Sequence, residues 1–155
     1  MFREMRKAER QLTDADAVAI LEKGEYGILS TVSEDGYPYG VPVSYAYKDG
    51  VIYFHCARNA GQKTANLAAN PKICFTVVGG TELLPDKFST KYESVIAFGL
   101  ARKAEDPKEG LLLLVEKYSP NFMEEGKAYI ERASHKADIF ELHIRHMTAK
   151  GRRER

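Results

Sequence analysis

Two Asp-Gly pairs, Asp35-Gly36 and Asp49-Gly50, separate three β-patterned runs in the first third of the chain. Asp-Gly is the preferred two-residue hairpin turn, because both central positions need φ > 0. Consecutive strands joined that tightly must be antiparallel. The runs predict strands over 26–33, 37–47 and 51–56. Further strands are expected over 72–78, 92–101 and 137–147, with Gly99 at a close backbone approach. The second strand carries Pro38 and Pro42, which remove ladder donors. It must therefore lie at an edge, bulge, or leave one flank free for a ligand.

Helices are expected over 14–23, 61–69, 107–118 and 123–133. Thr13 is the N-cap of the first, Asp16 its weak capping-box partner and Gly24 its stop. The segment 79–90 reads as a long loop and so as a candidate functional element. Six strands joined mostly by tight hairpins, with peripheral helices, predict a mainly β, six-stranded antiparallel barrel. The elements do not alternate in the βαβ manner, which argues against a doubly wound parallel sheet. The chain reads as one domain over 1–155, with a flexible basic tail over 148–155.

Composition narrows the function classes. Apolar residues make up 44% of 155 and charged residues 29%, the balance of a globular protein. A net charge of +1 gives no overall attraction to nucleic acid or acidic lipid. The longest aliphatic run, Leu111 to Val115, is far too short to cross a bilayer. No apolar stretch follows the charged start, so no secretion signal is expected. Cys56 and Cys74 lack metal spacing and read as reduced core thiols. The expected location is the cytoplasm.

The run Tyr53-Phe54-His55-Cys56-Ala57, followed by Gly61-Gln62-Lys63, concentrates the chemistry. A strand delivers a histidine, and a short loop opens a helix with a glycine, an amide and a lysine. Free N–H groups and the helix dipole at such a start suit an anion, and Lys63 adds a point charge. This is a phosphate grip beside a strand able to carry the rest of a nucleotide-like cofactor. His55 shares a strand face with Val51 and Tyr53, which also suits a packed histidine. His143 and His146 are three apart in a strand and so face opposite ways, which argues against a metal site. Even spacing of Tyr37, Tyr39, Tyr45 and Tyr47 fits packing in a half-buried strand.

The order of these signals resembles the FMN-binding split-barrel proteins related to pyridoxamine phosphate oxidase, and most of all the Nim-type nitroimidazole resistance proteins. The matching residues are Met5-Arg6-Lys7; Tyr26-Gly27-Ile28-Leu29-Ser30-Thr31; Asp35-Gly36-Tyr37-Pro38-Tyr39 with Val41-Pro42-Val43; Ile52 to Ala57; Gly61-Gln62-Lys63; Asn70-Pro71-Lys72; Phe88-Ser89-Thr90 with Tyr92, Ser94-Val95 and Gly99; and, more weakly, Met147 to Lys150. The resemblance implies a homodimer with two FMN sites at the subunit interface. By position, Ser30 and Thr31 would border the isoalloxazine, and Val41, Pro42 and Val43 would meet its polar edge through the backbone. His55, Cys56 and Ala57 would follow the ribityl chain. Gln62 and Lys63 would hold the phosphate, and Tyr92 and Ser94 would reach over from the partner subunit.

The sequence departs from the oxidase proper. Gln62-Lys63 stands where an arginine-lysine pair is expected. The oxidase's carboxy-terminal motif has no counterpart in a chain without tryptophan. The expected activity is an FMN-dependent reduction of nitroaromatic or other small electron-poor acceptors. His55 would be a proton donor, and the segment from Leu84 to Phe88, with the partner's Tyr92, would wall the acceptor space. The alternative is a non-catalytic flavin- or haem-binding split barrel, with His55 or His143 as haem ligand.

Overall fold

The computed structural model describes residues 1–153. Seven antiparallel strands form one sheet: β1 (Gly27–Val32), β2 (Pro38–Val43), β3 (Ala46–Lys48), β4 (Val51–Ala57), β5 (Lys72–Leu84), β6 (Ser89–Lys103) and β7 (Ala137–Arg152). Their order is β2-β1-β5-β6-β7-β4-β3. The edge strands β2 and β3 are joined only through Ser44 and Tyr45, so the sheet must curl until its edges approach. The result is a mainly β split barrel, as expected, with β2 at an edge.

The strand count is seven and not six, because the run over 37–47 breaks at Ser44-Tyr45. The Tyr45 backbone is taken by side chains in place of a ladder. Its N–H donates to the Tyr118 hydroxyl (3.0 Å), and its carbonyl accepts from Lys117 Nζ (3.0 Å) and from the Tyr118 hydroxyl (3.1 Å). The Tyr45 side chain is fully buried and donates to the Leu21 carbonyl at 2.5 Å.

Two further expectations are corrected. The segment 79–90 is a β-ribbon, not a loop. Glu82, Leu83 and Leu84 pair with Lys91, Thr90 and Ser89, and a bulge at Gly79–Glu82 absorbs the two glycines. A 3₁₀ turn, Pro85–Lys87, closes the ribbon, with Phe88 at φ 47°. The basic tail is also ordered where it is described. β7 continues to Arg152, paired with Tyr92, and Arg153 bridges Asp16 (2.9 Å) and Glu93 (2.6 Å). Opposite charges on two other elements hold what its composition suggested would fray; residues 154–155 lie outside the described residues.

The helices are α1 (Asp14–Lys23), α2 (Gly61–Ala69), α3 (Lys108–Tyr118) and α4 (Met123–Ala133). Thr13 and Asp16 form the full capping box at the start of α1. The α1 residues Ala17, Ile20 and Leu21 join a core built from Leu29, Ile52, Phe54, Phe75, Val95 and Leu142. The α3–α4 pair covers the outer face of β4 and β7. Buried Gly110 allows that approach, since a Cβ there would stand 2.6 Å from Ile139 Cγ2.

Candidate functional site

β4 has two faces. Ile52, Phe54 and Cys56 point into the barrel, whereas Tyr53, His55 and Ala57 face outward beneath α3 and α4. Tyr53 is covered by α3 near Gly110, but His55 and Ala57 open onto a cavity of about 540 Å³. The helices wall it with Leu111, Leu114, Val115 and Ile130, and among the described residues no carboxylate lines it. Lys136 supplies the fixed charge, and Ser44, Ser119 and Ser134 bring hydroxyls. Burial, with a smaller contribution from Lys63, holds the His55 imidazole below its usual pKa. Burial pushes the Cys56 thiol up, which fits a core thiol.

After β4 the chain turns through Asn59 (φ 52°) and Gly61 (φ 87°) into α2. Ala60, the N-cap, offers no side-chain bond, and the first turn holds no acid. Its N–H groups are therefore left for an anion. Lys63 Nζ is anchored on the His55 carbonyl at 3.3 Å, so the cation sits where strand meets helix. The Thr64 hydroxyl in the same helix is buried and lies against the Cys56 thiol.

Gln62 is tied into a relay that the sequence reading missed. Its Nε2 donates to Asn66 Oδ1 (2.7 Å), and Asn66 Nδ2 donates to Thr31 Oγ1 (2.9 Å). Asn66 and Thr31 are only 2% and 1% exposed. Thr31 is thus not at a ligand surface, as was expected. It points inward and fixes α2 to β1. The visible signal was the i, i+4 spacing of Gln62 and Asn66. Asn66→Ala should cost about 1–2 kcal/mol, because the Thr31 hydroxyl would be left buried and less well bonded. Urea unfolding would measure it, with Asn66→Asp as a partial rescue.

The remaining expected residues fall into groups. Cys56 can offer only its backbone to the cavity, because its side chain is in the core. Val41 and Val43 pack against the core and Pro42 faces out. β2 pairs with β1 alone, so its other backbone flank is open, as its prolines suggested. Ser30 lies on the outer sheet face, in register with Gly40 and Cys74. A groove runs beside Gln62 and Asn66, bordered by Glu34, Asp35 and Tyr39. Tyr92 and Ser94 stand on β6 opposite Arg152 and Lys150, and line neither the His55 cavity nor this groove. Burial would raise the Tyr92 phenol, but hydrogen bonding with Arg10 and the charge of Lys150 outweigh it and lower its pKa.

The argument against a shared histidine face does not hold. A bulge in β7 at Arg145 pairs Phe98 with His146 and Leu100 with His143. Partners of alternate residues share a side, so both histidines lie on the same face. They are nevertheless turned to different neighbours. His143 Nε2 meets Glu141 at 2.9 Å, and His146 stacks on Phe2 with centroids 4.5 Å apart.

The family profile described as pyridoxamine 5′-phosphate oxidase matches residues 13–151. The chain belongs to that family. No curated protein matches it in sequence. Among solved structures, the family member is similar to a candidate 5-nitroimidazole antibiotic resistance protein from Bacteroides thetaiotaomicron. Identity is 21% over 91% of this chain and 86% of that one, with a TM-score of 0.77. It is also similar to a conserved hypothetical protein from Mycobacterium tuberculosis (20%, 96% and 90%, 0.81). A third likeness is to an FAD- and haem-binding protein from Mycobacterium smegmatis (20%, 94% and 74%, 0.78). At these identities the three establish the split-barrel fold of this pyridoxamine 5′-phosphate oxidase family member. No helix among its described residues is long and apolar enough to cross a membrane.

Proposed function

We propose that the protein is an FMN-binding flavoprotein that reduces small, flat, electron-poor compounds, nitroaromatics among them. The observation that carries this reading is the start of α2: uncapped, free of acids, and equipped with Lys63, whose Nζ bonds the His55 carbonyl where strand meets helix. The donor set fits a phosphate-bearing group. Lys63 and the first-turn N–H groups would bind the phosphate, and the open flank of β2 would meet the polar edge of the ring system. FMN, when bound, supplies the electron chemistry. The α3–α4 walls give the cavity an apolar side, and the lining donors His55 and Lys136 suit an acceptor rich in oxygen atoms.

A homodimer fits the outer sheet face. Val78 and Ile96 are 57% and 39% exposed there, on the same face as Ser30, Thr76 and Phe98. A second copy would cover this surface and bring Tyr92 and Ser94 toward the other subunit's cofactor. Fluorescence quenching with FMN, with FAD and haem titrated in parallel, tests the ligand. Light scattering on the loaded protein tests the dimer. Absence of flavin binding together with a haem Soret band would favour the alternative, a haem-binding barrel with His55 as ligand. His143 is less suited to that role, because its Nε2 is engaged by Glu141.

His55 lines the cavity, and its side chain makes no hydrogen bond among the described residues that the fold needs. His55→Gln should therefore leave FMN bound and the melting temperature near wild type. Turnover of a nitroaromatic acceptor should drop roughly tenfold, the lower end for general acid catalysis. Because burial favours the neutral ring, wild-type turnover per loaded site should rise as pH falls through the range below 6.5, where the imidazolium forms. A flat profile and an unchanged rate in the variant would reduce His55 to packing.

A further inference from the structure

The cavity under α3 and α4 is polar at its two ends and apolar between them. The helices are joined through one short turn, Pro120–Phe122, and so run antiparallel. Ser119 stands at that turn, and Lys136 lies just past the opposite end, where Ala137 pairs with Ala57. Leu111, Leu114 and Val115 of α3 and Ile130 and Ala133 of α4 line the space between. From Leu111 to Tyr118 the helix advances roughly 10 Å, which sets the length of the apolar wall. Lys136 is exposed and pairs with no carboxylate among the described residues. Asp138, two positions on, is 4% exposed and already lies between Arg58 (3.3 Å) and Lys103 (3.2 Å). The charge at the Lys136 end is therefore positive and uncompensated.

We propose that this cavity selects small aromatic monocarboxylates, with the carboxylate at Lys136 and the ring between the apolar sides of α3 and α4. A pocket of mostly apolar walls orients its ligand through a few polar groups, and here the strongest of them is one ammonium. His55 lines the same space and adds a second donor that the fold does not use. A ring on a short chain suits a wall of this length. A second anionic group on the ligand would lie against leucine and valine side chains, where a charge is costly, and the far end at Ser44 and Ser119 offers it hydroxyls but no cation. A cationic ligand would meet Lys136 with no carboxylate to pair with. The proposal deepens the acceptor reading and rests on it for the role of this cavity, but the binding itself needs no flavin.

The test uses the full chain with no flavin added. Isothermal titration compares 3-phenylpropanoate with 3-phenylpropanamide, which keeps the ring and chain and loses the charge. The acid should bind about tenfold or more tightly than the amide, the change expected for one hydrogen bond to a charged group. Lys136→Gln should abolish that preference and Lys136→Arg should keep it; both changes are at an exposed position that the fold tolerates. Leu114→Gln should weaken acid and amide alike. Equal affinity for the two probes would overturn the proposal. So would a preference that survives Lys136→Gln, because the acid would then sit elsewhere, or an affinity that Leu114→Gln leaves unchanged. The FMN titration decides the flavin reading separately. A chain that binds FMN and not the acid strikes this proposal alone, and one that binds the acid and not FMN strikes the flavin reading and keeps the site.

Discussion

Gly99→Ala should destabilise the protein by about 2–3 kcal/mol, the range for forcing extra volume into a packed site. The cause is local and backbone-deep. A Cβ at Gly99 would stand 2.1 Å from the His143 carbonyl oxygen and 2.7 Å from Leu142 Cδ1. Leu142 is fully buried, and the carbonyl belongs to β7 beside the Arg145 bulge. Neither can move without disturbing the longest pairing in the barrel. Gly79→Ala is the control, because nothing lies within 4 Å of its added Cβ and its φ is not positive. Urea unfolding of the two variants should give a clear drop in midpoint for Gly99→Ala and almost none for Gly79→Ala. Equal shifts would mean that lost glycine flexibility, and not the clash, sets the effect.

Gly99 was legible in the sequence as a glycine inside a strand, and so were the elements whose signals are local. The α1 bounds follow from Thr13, Asp16 and Gly24, and the α2 bounds from Gly61 and Asn70-Pro71. What escaped the sequence is made by partners far along the chain. β2 and β3 part because Lys117 and Tyr118 capture the backbone of Tyr45, some 72 and 73 positions earlier. The basic tail is ordered because Arg153 finds Asp16, 137 positions away. The Arg145 bulge reverses the facing of His143 and His146, and its one glycine, Gly99, stands on the partner strand β6 and not in β7. In the site the same division holds. His55 and Lys63 belong to one short motif and were found together. Thr31 was given a ligand-facing place because only the fold shows it turned inward onto Asn66. The cavity wall comes from α3 and α4, whose apolar residues read simply as helix core until the helices are docked on β4.

Lys63→Ala should weaken FMN binding by roughly 1.5–3 kcal/mol, the range for a hydrogen bond to a charged group, or about tenfold to more than a hundredfold in Kd. Lys63 is the side-chain cation at the α2 start, where Gln62 is already committed to Asn66 and the N-cap contributes no side chain. Part of the affinity should survive through the N–H groups of the first turn. Raising the salt should narrow the difference between wild type and variant, because the site is partly exposed and its charge is screened. Riboflavin separates two explanations. It carries the ring and ribityl chain without the phosphate, so a phosphate role predicts equal riboflavin affinity in both proteins. Lys63 also bonds the His55 carbonyl, and its loss could instead loosen the end of β4. In that case riboflavin and FMN would weaken together, and Lys63 would be a brace for the cavity. A loss confined to FMN assigns the lysine to the phosphate.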